Sequence, residues 1–255
     1  TTLASGILAP GEYNINLGTS GWVAAVSNQR MESEGGGFNL AAMQKDLLIN
    51  VVPFLNGGNA HRLIAKILSR DPDGAPDFGY ISELLEKAEP GSHGLFCLPY
   101  VAGERFPIMD SSVRGSFLGR SQATTAADMA QSVLEGVAFA IRDSFEVAKS
   151  LGIAIPRSNV CGGGAKSPLW RRIFANVLGI PLDMVKTEQG PGYGAAMLAM
   201  VGCGKFASVQ EAADKLVEVA STTEPDASLT AKYENRYQSF KMLYPALKDF
   251  FAATV

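Results

Sequence analysis

Three glycine-rich turns carry the chemistry open to this sequence: Leu17-Gly18-Thr19-Ser20-Gly21, Asn56-Gly57-Gly58-Asn59 and Gly162-Gly163-Gly164-Ala165. Each follows a run that reads as a strand. Glycine lets backbone amides approach a phosphate or a flat base with no Cβ in the way. Thr19 and Ser20 add hydroxyl donors at a hairpin tip, where a phosphate oxygen could sit. A triple glycine feeding a helix leaves room for a nucleobase against the backbone. Taken singly, each is also what an ordinary turn looks like.

Standard nucleotide motifs give little. The P-loop pattern G-x-x-x-x-G-K-[ST] is absent, because Gly204-Lys205 is followed by Phe206. Gly190-Pro191-Gly192-Tyr193-Gly194-Ala195 fits the dinucleotide string G-x-G-x-x-[GA], but Thr187, Glu188 and Gln189 separate it from the preceding strand. The acids about 20 residues further on, Glu211 and Asp214, fall in a helical stretch rather than at a strand end. A dinucleotide enzyme would also need a parallel strand after this glycine string. His61 and His93 are the two histidines, and no Cys or His pair has zinc spacing.

Alternation predicts that these turns sit on strands and helices. Residues 13–17 and 22–26 read as a hairpin with a glycine-rich tip. A strand over 46–52 leads through the second turn into a helix over 60–68. A loop over 71–79, a short helix over 81–88, a buried strand over 94–99 and an irregular excursion over 102–122 follow. Thr125-Ala126-Ala127-Asp128 fits a capping box. Met129, Val133, Val137, Ile141 and Phe145 then make one long apolar helical face. Residues 158–161 read as a strand, 167–178 as a helix with Pro168 in its first turn, 181–185 as a strand and 192–201 as a small-residue helix. A last helix begins near Thr230, with Tyr233, Tyr237, Phe240, Tyr244 and Leu247 on one stripe and a kink at Pro245. Strands alternating with helices from 46 to 201 argue one α/β domain.

The 255 residues, 47% hydrophobic and 18% charged, suffice for a sizeable core. A net charge of -3 makes no case for nucleic acid or an anionic membrane. Three separated cysteines, Cys97, Cys161 and Cys203, argue a reducing compartment, so a cytoplasmic location is expected. No apolar run has the length of a membrane span.

The order of the turns, with the text between them, resembles the C-terminal domain of FGGY carbohydrate kinases. The sharpest match runs through Gly115-Ser116-Phe117-Leu118-Gly119, a spacer after Arg120, Asp128-Met129 and Ser132-Val133-Leu134-Glu135. Arg120 stands where the family carries an aliphatic residue. Gly103-Glu104-Arg105 with Pro107, Glu135-Gly136-Val137-Ala138-Phe139, Gly162 to Pro168, Gly192-Tyr193-Gly194-Ala195-Ala196 and Leu243-Tyr244-Pro245-Ala246-Leu247 extend it. The resemblance implies an actin-like ATPase (ribonuclease H-like) fold, a mixed sheet flanked by helices, with residues 1–255 as the second half of a two-domain sugar kinase. It implies ATP and Mg²⁺ as cofactors and a small sugar as substrate. The partner would be the chain's own N-terminal, sugar-binding half, and a homodimer is left open. Gly18, Thr19 and Ser20 would face the β- and γ-phosphates, and Gly57 and Gly58 would line the cleft. Gly163, Gly164 and Ala165 would meet the adenosine, with Asn59 and Ser167 as further contacts. The aspartate base of the family would fall just upstream of Thr1, so the chain alone should transfer no phosphate to sugar. The details look most like xylulokinases and gluconokinases, while Leu55-Asn56-Gly57-Gly58-Asn59 is closer to sedoheptulose kinases. A ketose is the expected sugar. The alternative is an actin-like nucleotide module without sugar chemistry.

Plainer readings stand beside these. Glu104 and Arg105 read as an ion pair bracing a domain interface, and His61 as a solvated helix residue. Cys161 reads as a small hydrophobe, Trp170 and Phe174 as core, and Asp128 as a helix cap. Gly194, Ala195 and Ala196 read as a close helix-packing surface.

Overall fold

Strand β1 (Tyr13–Leu17) shows why the chain folds around its middle. Tyr13, Ile15 and Leu17 alternate with Asn14 and Asn16, and the three apolar side chains enter the main core. That period of two sends the asparagines to the other face. In the computed structural model, which describes residues 1–32, 36–150, 155–187 and 190–254, β1 is the centre of a seven-stranded sheet.

One side of the sheet is antiparallel. β2 (Gly21–Ser27) returns along β1 as the expected hairpin, with Leu17 opposite Gly21. β3 (Phe38–Ala41) and β4 (Leu48–Phe54) continue it in the order β3-β4-β2-β1. The helices α1 (Gly58–Ile67) and α2 (Phe78–Leu85) follow, then a two-stranded ribbon of β5 (Phe96–Leu98) and β6 (Ser116–Leu118). The excursion over 102–122 therefore contains a strand. The long helix α3 (Ala126–Ser150) begins at the predicted capping box: Thr125 N–H and Oγ1 donate to Asp128 Oδ2 at 2.9 and 2.8 Å, and Asp128 N–H donates to Thr125 Oγ1 at 3.2 Å. Val133, Val137, Ile141 and Phe145 are buried along it, as their spacing requires.

The other side is parallel next to β1. β7 (Ser158–Cys161) pairs parallel with β1, and α4 (Pro168–Leu178) returns the chain to β8 (Leu182–Val185), parallel to β7. Ser167 caps α4 by accepting from Trp170 N–H, Pro168 occupies the first turn, and Gly179 at φ 68° ends the helix. Trp170 and Phe174 are buried as expected. α5 (Gly190–Gly202) and α6 (Val209–Leu216) lead to β9 (Val219–Thr223), which pairs antiparallel with β8. That antiparallel return, reached through an extra helix, is not the parallel strand a dinucleotide fold requires. Glu188 and Gln189 lie outside the described residues.

Two expectations are corrected here. The last helix is two: α7 (Ala227–Phe240) and α8 (Leu243–Thr254), broken at Lys241 and Met242. Pro245 is in the first turn of α8, where its missing N–H costs no helical bond, so it makes no kink. In α5, Gly194 packs against Leu3 and Ala4, but Ala195 and Ala196 are exposed. α1, α2, α3, α4 and α7 enclose the main core with the Ile15 face of the sheet, while Met197, Ala212 and Ala213 form a smaller cluster with Leu3 and Leu8.

Candidate functional site

The parallel strands β1, β7 and β8 end at Leu17, Cys161 and Val185, and their carboxyl ends are where open α/β sheets hold ligands. The first and third glycine turns begin there. The second, after β4, is drawn to the same place by backbone hydrogen bonds. Gly57 and Asn59 N–H donate to Thr19 O at 3.3 and 3.0 Å, and Gly58 N–H donates to Gly18 O at 2.8 Å. A Cβ on either Gly57 or Gly58 would sit 2.9 Å from Gly18 O, which explains both glycines. The Asn59 side chain is also engaged, donating to Leu55 O at 3.0 Å and accepting from Ala60 N–H at 2.8 Å.

The third turn is anchored by Gly162, whose φ of 94° excludes most other residues and whose added Cβ would meet Leu17 O at 2.6 Å. Gly164 lies over the Trp170 ring, 2.8 Å from an added Cβ, and Ala165 is fully buried. The Ala165 carbonyl accepts from the Arg171 guanidinium. Between these packed positions, an added Cβ at Gly163 meets nothing within 4 Å. Thr19 and Ser20 are exposed at the hairpin tip. Ser167 is occupied as the α4 cap and also lines a cavity of roughly 670 Å³ between α2, α3, α4 and α7. A smaller cavity, roughly 160 Å³, lies on the other side of β1 and β7 against Asn16, Cys161, Gly162 and Pro191. Nine of the ten residues picked from the sequence thus belong to three turns at one end of the sheet, and the tenth, Ser167, caps the helix that follows the third. Thr19, Ser20 and Gly163 are the open points of that end.

Three neighbours differ from their sequence reading or agree with it for a visible reason. His61 is half-buried rather than solvated: its ring stands edge-on between Phe78 and Trp170, with centroids 5.2 and 5.3 Å away. Burial pushes its pKa down, which favours the neutral imidazole. Glu104 makes no ion pair with Arg105 among the described residues, and the Arg105 guanidinium lies over the Phe38 ring at 5.9 Å. Glu104, 4% exposed, instead accepts from Leu55 N–H at 2.8 Å, Asn56 Nδ2 at 2.9 Å and Arg105 N–H at 2.7 Å. Sequence reasoning missed this link and Asn56 with it, although Gly103-Glu104-Arg105 had marked the place. Cys161 is buried as expected, and its sulfur also lies within 3.4 Å of Asn16 Nδ2.

Among the described residues no helix is long and apolar enough to cross a membrane. The mixed sheet, its flanking helices and the three joined turns define an actin-like ATPase domain. Residues 13–203 match the FGGY family of carbohydrate kinases, C-terminal domain, and the chain belongs to that family. It is 30% identical to a xylulose kinase of Staphylococcus xylosus over 95% of this chain and 50% of the relative. The structure of a ligand-bound xylulose kinase from Lactobacillus acidophilus superposes with a TM-score of 0.89 at 25% identity, covering 100% of this chain and 51% of that one. Gluconate kinase from the same organism gives 0.88 at 25% identity, over 99% and 51%. The chain spans about half the length of the curated relatives it matches.

Proposed function

We propose that this chain is the nucleotide-binding half of a sugar kinase that transfers the γ-phosphate of ATP to a sugar hydroxyl in a reducing, cytoplasmic setting. One observation carries the reading: three glycine turns from distant segments meet at the carboxyl ends of parallel strands, and at Gly163 the space beside the backbone is open. The Thr19 and Ser20 hydroxyls and the tip amides face the β- and γ-phosphates. The adenosine lies over Gly163 and beside Gly164, while Ala165, fully buried, supports the turn from beneath rather than touching the ligand. Gly57, Gly58 and Asn59 act by fixing the tip rather than by offering their own amides. Phosphoryl transfer is catalysed mainly by positioning and by stabilising charge, which fixed donors supply.

Mg²⁺ enters with ATP as part of the substrate. Among the described residues no three His, Cys, Asp or Glu groups are gathered to hold an ion. The sugar site and the carboxylate base are proposed to lie outside these residues. Xylulose is the sugar named for several of these relatives, and a ketose is the proposed acceptor.

Calorimetry with ATP and ADP tests the first part. Binding is expected, and a folded sample with none at about millimolar nucleotide, the weak end of specific recognition, would sink it. A coupled ADP-release assay over ketoses, aldoses, gluconate and glycerol tests the second. Only slow sugar-independent hydrolysis is expected, since loss of a base costs about 10²- to 10⁴-fold. Sugar-dependent turnover near about 1 s⁻¹ would require a base within these residues.

A further inference from the structure

The loop after β5 crosses from the second glycine turn to the C-terminal helices, and its hydrogen bonds form one continuous path. At one end Tyr244 Oη on α8 donates to Asp110 Oδ2 at 2.9 Å. Asp110 and Glu104 exchange both backbone bonds, Glu104 N–H to Asp110 O at 2.9 Å and Asp110 N–H to Glu104 O at 3.1 Å. Asn56 Nδ2 donates to Gly103 O at 2.6 Å, and Asn56 Oδ1 accepts from Ala102 N–H at 3.1 Å. Next in the chain come Gly57, Gly58 and Asn59, whose amides hold Gly18 O and Thr19 O.

We infer that Glu104 is a positioning residue for the phosphate end of the nucleotide site, acting through Leu55 and Asn56 on the Gly57–Asn59 turn and so on the Gly18–Ser20 tip. The inference rests on the nucleotide-binding reading above. Its geometry is that of a buried carboxylate with both oxygens occupied. Oε1 takes the Leu55 and Arg105 amides, and Oε2 takes the Asn56 side chain. A neutral side chain without acceptors would strip the buried Asn56 amide of one of its two acceptors and leave the half-buried Leu55 N–H without this one, a loss that protein interiors meet by rearrangement. The rearrangement would begin at residues 55 and 56, one step from the amides that hold the tip. The Gly163 end of the site is anchored elsewhere, on Leu17 and Trp170. Glu104 should therefore govern phosphate binding and leave the base and ribose alone.

That separation gives a readout that general destabilisation would not move. ATP and adenosine affinities are measured by calorimetry on the 255-residue chain and its Glu104→Ala and Glu104→Gln variants. Glu104→Ala is expected to weaken ATP by about tenfold or more and adenosine by less than about twofold. Glu104→Gln keeps an acceptor for Leu55 but sets an NH₂ against Asn56, so it should fall between. Equal weakening of both ligands, or wild-type ATP affinity in folded Glu104→Ala, would overturn the inference. Should Glu104→Ala fail to fold, Glu104→Gln decides by the same ratio, and an unchanged ratio counts against it. Amide hydrogen exchange separates this from failure of the nucleotide reading. In Glu104→Gln without ligand, Gly58 and Asn59 should exchange about tenfold faster while Ile64 does not. Unchanged exchange at Gly58 and Asn59 would sink the link even if ATP binds. If wild type binds no ATP but exchange shifts as stated, only the nucleotide reading falls.

Discussion

The second and third glycine turns look alike in sequence, each following a strand and entering a helix, yet they are built oppositely. At residues 56–59 the amides turn inward to Gly18 and Thr19, and a Cβ on Gly57 or Gly58 would collide with Gly18 O. At residues 162–165 the outer glycines are pressed on Leu17 and Trp170, but the one between them borders open space. Glycine is used for two reasons here: one part of the protein's own backbone must come close to another, or a surface must stay clear. The sequence displays the glycines without saying which reason applies.

Breaking the packed positions should give the largest effects. Gly162→Ala combines a left-handed backbone with a 2.6 Å approach to Leu17 O, so a loss of about 3 kcal/mol or more is expected in urea unfolding. Wild-type stability would mean that β7 and β1 do not meet as described. Gly57→Ala, at 2.9 Å from Gly18 O, should cost about 1–3 kcal/mol and loosen the hairpin tip. An unchanged urea midpoint would show that the two turns are not locked together.

The lock should also titrate. Burial raises the Glu104 carboxyl above its ordinary value of 4.5. A raised folded value means that the stability linked to this group is fully present below pH 4.5 and is lost as pH rises through the folded value. Glu104→Gln should flatten that fall between pH 4.5 and neutrality, read as the difference in urea midpoints. Asp143, pushed up to about 6 by burial and bonded to Tyr237 Oη at 2.6 Å, contributes a fall of the same sign that the variant retains. Identical slopes in the two proteins would place Glu104 in water rather than under the turn. The smallest stability effect belongs to the open point: Gly163→Val should change unfolding by less than about 1 kcal/mol while abolishing nucleotide binding. Normal binding by that variant would mean that the adenosine does not lie over Gly163.

Much of this arrangement was legible because local rules suffice for it. The β1–β2 hairpin, the Thr125–Asp128 box and the Ser167-Pro168 helix start each depend on neighbours in sequence. The Glu104 link was not, because a carboxylate's partner 48 residues away leaves no periodic trace. His61 looked solvated because the rings that enclose it come from α2 and α4. β3 and β9 escaped notice as short strands at the two sheet edges, where half-exposed residues such as Asn39 and Ser221 blur the alternation. Pro245 was misread because a proline's meaning depends on where its helix begins, and the break at Lys241 and Met242 carries neither glycine nor proline.

Trp170 gives the chain an optical property. It is one of two tryptophans, sealed from water, with its indole N–H on Leu134 O at 3.2 Å, its ring under Gly164 and the His61 imidazole at its edge. Trp22 is half-buried on the other side of β1 and β7, at the smaller cavity. With Trp22 replaced by Phe, the remaining ultraviolet emission comes from a single indole directly beneath the third turn. The fluorescence of that variant is a built-in gauge of the third turn, readable without any attached dye.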